Sequence, residues 1–390
     1  MQSYKTSLDF LLSHIIWFMF CCVLLVDTLT GYFLLNETNA VYSQLFKFCL
    51  LLLLILKNKS LYVFLLLFIF GIYITFFIVY IALLKAIVLQ DTLLWLNKFI
   101  LFILVFFFVK NEIISNGKNT VLKIKWVFFV NFIVILLNLL IAPLFGLGFV
   151  LYSGVESSKG FFCAGNEVGV TLIVIFSYLY FSYRQNKIVS IVLLIIATIL
   201  VLSFPTKVAI IGLFFAVVFV SNKKKMIRII LSVKILFMMI LFLFITSFYF
   251  INSGLFDKFQ YFFLQNGWWF LLSGRNFYLL EKIDIFEKSS LVQQMFGIGE
   301  HVTVEMDFFD ILFNFGYIGL LLFCCVYWYF FQEVKKRLRN SQNLYVLYVY
   351  RLMLLLWVIA FLAGHVVFSA MAGVFIGIVF ALMYYDFAYE

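Results

Sequence analysis

Charge is scarce in this chain: only 12% of its 390 residues are Asp, Glu, Lys or Arg, against 66% hydrophobic. A globular chain carries about 25% charged residues and about 45–50% apolar ones. A soluble fold would therefore lack polar surface. Proline is almost absent, with two residues in the whole chain, so long helices are rarely interrupted. The six Cys form no CxxC and no His/Cys cluster, and only three His are present. That pattern argues against a disulfide framework and against structural zinc. No ten-residue alternation appears either, which argues against a transmembrane barrel.

What is present is apolar length. Fifty-four Phe and abundant Leu, Ile and Val fall into stretches of about 20 residues, separated by short charged loops. In lipid a backbone must satisfy its own hydrogen bonds, so such stretches are helices. The pattern predicts an all-α polytopic membrane protein of about twelve transmembrane helices in one membrane domain, 1–390. The spans are expected at about 11–34, 42–56, 61–84, 88–109, 124–145, 166–183, 188–204, 207–221, 227–251, 307–331, 344–364 and 367–385. The first has no small-residue cleavage site and is expected to be retained.

The net charge of +10 does not point to nucleic acid, because the cations sit in small groups between spans. Lys57 and Lys59 lie in one loop. Lys110, Lys118, Lys123 and Lys125 lie in another. Arg184 with Lys187, Lys223 to Lys225 with Arg228, and Lys335 to Arg339 follow, all in alternate loops. The positive-inside rule then places both termini in the cytoplasm.

Two loops of note fall on the outer face, about 146–166 and 252–306. The second is the large extracytoplasmic loop and the one long polar segment. Trp268 and Trp269 suit the interface. After Ser273-Gly274-Arg275, residues Leu279, Ile283 and Phe286 recur at helical spacing, which predicts a helical cap on the membrane surface.

Charges beside hydrocarbon are costly and mark function by default. Here they gather on the outer side: the cations Lys159, Lys207 and Arg275, the carboxylates Glu167, Glu305, Asp307 and Asp310, with Asn166 and His365. Each has a plainer explanation: Asp307 and Asp310 as helix-start carboxylates, the lysines as snorkelling groups, His365 as a satisfied buried histidine. Lys47, Lys98, Lys234 and Arg351 lie inside spans and are expected to snorkel or pair. Asp27 is ambiguous. Together, though, the outer charges suit sugar transfer from a lipid diphosphate. An Arg fork grips phosphate, and a carboxylate can take the proton of an attacking hydroxyl. No metal or other cofactor is required if Arg and Lys supply the charge.

Four segments resemble the O-antigen polymerase/ligase superfamily (Wzy/WaaL type), and more closely its capsular and exopolysaccharide polymerase branch. Lys159-Gly160-Phe161-Phe162-Cys163-Ala164-Gly165-Asn166-Glu167 is similar to the opening of a middle span. Thr206-Lys207-Val208-Ala209 resembles an "S-R-x-A" opening. Ser273-Gly274-Arg275 and Gly297-Ile298-Gly299 resemble the two ends of the external loop. Glu305-Met306-Asp307-Phe308-Phe309-Asp310, with Gly316-Tyr317-Ile318-Gly319, resembles "H-N-x-x-L…G-x-x-G". Gly364-His365-Val366 also fits. The first 150 residues match only in hydrophobicity.

The resemblance implies a GT-C-like glycosyltransferase of the bacterial cytoplasmic membrane, acting on undecaprenyl-diphosphate-linked oligosaccharide. It leaves open a flippase and a chain-length regulator as partners. Two departures stand out: Lys207 where the ligase motif has Arg, and Glu305 where it has His. They favour a polymerase over a ligase; a transporter or lipid-glycan flippase is the remaining alternative. On this reading Arg275 and Lys207 grip the diphosphate, with Lys159 as a weaker third cation. Glu305 is the base. Asp307 and Asp310 orient Arg275 or bind sugar hydroxyls, and Asn166, Glu167 and His365 complete the substrate-binding set.

Overall fold

The computed structural model describes residues 2–36, 38, 40–58, 71, 89–150, 158–204, 206–220, 260–261, 263–264, 267, 275–298, 302–340, 343–367 and 369–385. These are nearly all helical, and no strand occurs among them. In chain order the described helices are α1 (Gln2–Leu35), α2 (Tyr42–Lys57), α3 (Leu89–Leu144), α4 (Gly165–Ser182), α5 (Lys187–Ser203), α6 (Lys207–Phe215), α7 (Arg275–Lys288), α8 (Leu291–Phe296), α9 (Asp307–Asn340), α10 (Leu344–Leu362) and α11 (Ala370–Ala381). A π-helical turn, Ala216–Val220, extends α6, and a 3-10 turn, Leu382–Tyr384, ends α11.

Five described helices are long and apolar enough to cross a membrane: Asp9–Leu35, Asn97–Leu140, Gly165–Ser182, Asp307–Arg339 and Leu344–Phe361. Shorter apolar helices occupy Lys187–Ser203, Lys207–Val218 and Ala370–Tyr384. The protein is thus a polytopic helical membrane protein, while the count of twelve goes beyond what these helices establish. The expected spans 61–84 and 227–251 lie outside the described residues, apart from Gly71. So do Trp268, Trp269, Ser273, Gly274 and Gly299.

One boundary differs from the sequence expectation. The spans at 88–109 and 124–145 are joined by helix, not by a loop. α3 runs through both and reverses only at Gly117, at φ 37. Asn, Gly and Lys residues there are polar enough to leave the membrane, yet most of them keep helical geometry.

The centre of the bundle is α11. Every residue from Met371 to Ala381 is buried, as expected for a helix that is apolar all round. Gly377 lets it approach α3 closely: a Cβ there would lie 2.8 Å from the Phe102 carbonyl oxygen. Small residues at such contacts are how helices pack where lipid supplies no hydrophobic drive. A second, smaller core lies at one rim. Phe286 of α7, Ile298, Val302, Val304, Met306 and Phe313 form it, with Leu279 and Ile283 packed alongside. The apolar face predicted for the loop helix therefore covers the start of α9.

Candidate functional site

Residues 302–306 run back across the first turns of α9 as a strap. Asn314 holds one end: its Oδ1 accepts from the Val302 amide at 3.1 Å, and its Nδ2 donates to the Val302 carbonyl. Asp310 holds the other. Its Oδ1 accepts from the Val304 amide at 2.6 Å and its Oδ2 from the Met306 amide at 3.1 Å. One carboxylate thus fixes both neighbours of Glu305. The residue between them bulges outward with a left-handed backbone, φ 60. For a residue other than glycine this costs about 1–2 kcal/mol. Such strain persists only where the surroundings impose it, and it gathers at functional sites.

Glu305 Oε2 accepts from Arg275 Nη2 at 2.6 Å. Arg275 is the first residue of α7 and its side chain is 14% exposed; that of Glu305 is 56% exposed. Lys207, the first residue of α6, lies within electrostatic reach of Arg275. Thr206 caps α6 by accepting from the Ala209 amide at 3.1 Å. Gly169 of α4 faces that cap, with its Cβ direction 3.0 Å from Thr206 Oγ1. Arg275 is thus ion-paired with one half-exposed carboxylate, and a second cation from a separate helix lies within electrostatic reach of it. This arrangement favours a further anion.

Behind the strap a second carboxylate fixes a second loop. Asp307 is buried, and its oxygens accept from three successive amides between α10 and α11: His365 at Oδ1, Val366 at Oδ2 at 3.0 Å and Val367 at Oδ2 at 2.8 Å. His365 is the other described non-glycine residue with a positive φ, 61. Its Nδ1 lies 3.8 Å from Glu167 Oε1, and Lys98 Nζ lies 3.8 Å from the same oxygen. Lys47, paired with Asp27 at 2.7 Å, is also within electrostatic reach of Glu167. Glu167 thus ties α3, α4 and the 363–367 loop together. Asn166 stands beside it, half-buried in the first turn of α4.

The structure pairs Arg275 with Glu305, leaves Lys207 within electrostatic reach of Arg275, and places Asp307 and Asp310 next to Glu305 in the chain with His365 on the adjoining loop. Lys159 is turned elsewhere. Its Nζ donates to the Cys163 carbonyl within its own loop and sits 5.4 Å from the centre of the Phe149 ring. The described contacts of Asp307 and Asp310 are with backbone amides. Sequence reasoning gave Lys98, Asp27 and Lys47 little weight, although an ionisable group inside a span was the available signal. Asn314 carried no signal at all.

Residues 257–390 match the family model of the O-antigen ligase like membrane proteins. That match supports the O-antigen polymerase/ligase superfamily for the C-terminal third of the chain. The match takes in Arg275, Glu305, Asp307, Asp310 and His365, and leaves Lys159, Asn166, Glu167 and Lys207 before it. No curated protein and no solved structure matches the chain. Similarity of this part to O-antigen ligase like membrane proteins suggests a membrane enzyme that handles glycans. The glycine at 316 has a physical account in the structure. That residue breaks α9 at φ 66, ψ −170, a conformation nearly restricted to glycine. The break lets α8 seat on α9, with the Ile298 amide donating to the Phe313 carbonyl at 2.9 Å.

Proposed function

We propose that this chain is a polysaccharide polymerase that joins undecaprenyl-diphosphate-linked oligosaccharide repeat units on the outer face of the bacterial cytoplasmic membrane. The carrying observation is the Arg275–Glu305 pair, presented by a strained strap with Lys207 within electrostatic reach of the guanidinium.

The pair suggests an order of events. A half-exposed ion pair contributes only about 0–1 kcal/mol. Charge-assisted hydrogen bonds to phosphate contribute about 1.5–3 kcal/mol each. A lipid diphosphate arriving between Arg275 and Lys207 therefore displaces Glu305 from the guanidinium. The freed carboxylate then accepts the hydrogen bond of the acceptor sugar hydroxyl. In the reaction the acceptor oxygen attacks the anomeric carbon. The bond from that carbon to the diphosphate oxygen breaks, and its electrons leave with the lipid diphosphate. The hydroxyl proton passes to Glu305. Asp310 and Asp307 act as positioning groups, the first shaping the strap and the second the loop behind it. Lys159 takes no direct part on this reading, and a GT-C-like fold remains part of the proposal.

The family match favours a second reading, transfer of the whole glycan to a different acceptor, as the family description names ligases. Glu305 at the position of the ligase histidine favours the polymerase. Membranes holding Arg275→Ala or Glu305→Gln at normal protein level should stop chain extension. Near-normal polymer length in both would remove the assignment. Unchanged polymer length with loss of transfer to a final acceptor would select the ligase.

A further inference from the structure

α9 carries a surface stripe that the site does not use. Leu321, Cys324, Cys325, Trp328 and Phe331 recur at spacings of three and four, and the same face continues as Gln332, Lys335, Lys336 and Arg339. The first part faces α10, where Leu354, Trp357 and Phe361 complete an apolar groove of about 760 Å³. Leu321 and Trp328 are each more than 60% exposed. The second part lines its own basic pocket of about 320 Å³, directly beyond the groove on the helix. The acidic residue of this turn, Glu333, is engaged on another face, where it accepts from Arg337 at 3.1 Å. Arg337 in turn lies 3.7 Å from the centre of the Tyr384 ring.

We propose that this stripe binds an anionic phospholipid of the leaflet remote from Glu305, with its phosphate on Lys335, Lys336 and Arg339 and an acyl chain in the groove against Trp328 and Trp357. The Lys and Arg distribution predicts that leaflet to be the cytoplasmic one. The positive-inside rule accounts for the sign of these residues. It does not account for their sharing a pocket, nor for the alignment of that pocket with an apolar groove of acyl-chain dimensions. Charge and shape complement one molecule: a headgroup phosphate at the membrane surface joined to a chain running inward. The lipid-linked donor would fit differently. Its diphosphate belongs at the N-terminal end of α9, before the Gly316 break, and Lys336 lies roughly 30 Å beyond that break at 1.5 Å per residue, so the donor would leave the basic pocket empty.

The test uses the full chain in detergent and lipids brominated on their acyl chains, which quench tryptophan on contact. Brominated phosphatidylglycerol is compared with equally brominated phosphatidylcholine. Each cation near the surface contributes about 1 kcal/mol, or about five-fold in affinity. Half-quenching should therefore need at least about five-fold less phosphatidylglycerol. Trp328→Phe with Trp357→Phe should remove the saturable part of the quenching. Lys335→Gln with Lys336→Gln and Arg339→Gln should abolish the preference yet keep quenching by phosphatidylcholine, which also shows that the groove is intact. Should that triple variant fail to fold, Arg339→Gln alone should still lower the preference several-fold. Equal quenching by the two lipids, or a preference that survives the substitutions, overturns the proposal. So does relief of the phosphatidylglycerol quenching by undecaprenyl diphosphate, which would give the groove to the donor's tail.

Discussion

Gly364 lies directly against the backbone of Glu305. A Cβ on Gly364 would stand 2.6 Å from both Cα and C of Glu305. The loop between α10 and α11 is thus the surface on which the strap rests, and Asp307 holds that loop in place through three amides. The position of the Glu305 carboxylate depends on a residue 59 positions away that has no functional group.

This contact predicts that Gly364→Ala shifts Glu305 without unfolding the bundle. Displacing a reacting group by about 1 Å can cost about 100-fold in rate. Steady-state extension of a lipid-linked donor should show kcat reduced by about that factor, with the donor KM little changed. An unaltered kcat would mean that Glu305 is not held by this loop.

Arg275→Lys keeps the charge and loses the fork. On the proposed mechanism the donor KM should rise by about ten-fold, with a smaller fall in kcat. Glu305→Gln should do the opposite, leaving KM and lowering kcat by about 100-fold to 10,000-fold, the usual range for removal of a general base. Kinetics of the two variants side by side check the assignment, because swapped or identical profiles would contradict it.

The Asp27–Lys47 pair joins α1 to α2 with both side chains at most 10% exposed. Ser43 donates to the same carboxylate. Removing one partner of a buried pair leaves a lone charge and costs about 3–5 kcal/mol. Lys47→Met should therefore lower thermal stability in detergent sharply. Lys47→Met combined with Asp27→Leu should recover most of the loss, since a buried pair replaced by apolar groups is often neutral. A double variant as unstable as the single one would indicate a different role for the pair.

At Gly316 a Cβ would fall 2.3 Å from the Met295 carbonyl carbon and oxygen, in a backbone conformation that disfavours any side chain. Gly316→Ala should lift α8 from α9 and leave the spans in place. Limited proteolysis of intact protein should cut faster near residues 289–298, with the fragment pattern of the spans unchanged. Equal cutting rates would show that the loop is seated by other contacts.

Much of the site was readable one residue at a time. Arg275, Lys207 and Glu305 stood out as charges beside hydrocarbon, and the structure pairs Arg275 with Glu305 and leaves Lys207 within electrostatic reach of Arg275. Asp307 and Asp310 were equally conspicuous but their partners were not. Asp310 reaches back to residues 304 and 306, while Asp307 reaches forward to 365–367. No spacing rule signals that second contact. Lys159 looked like a third cation, yet it folds onto the Cys163 carbonyl. Lys98 was expected to snorkel or pair, and it lies 3.8 Å from Glu167.

By itself the sequence determined that the protein is a helical membrane protein, roughly where its long apolar helices lie, and that its unusual charges collect near the ends of particular spans. Hydropathy suffices for this because burying backbone in lipid leaves only helices. Which helix faces meet was decided by tertiary structure alone. A span is apolar on its lipid side and on its packed side alike, so its residues carry little record of azimuth. The left-handed turn at His365, held by the Asp307 carboxylate, arises only when the start of α9 meets the loop between α10 and α11.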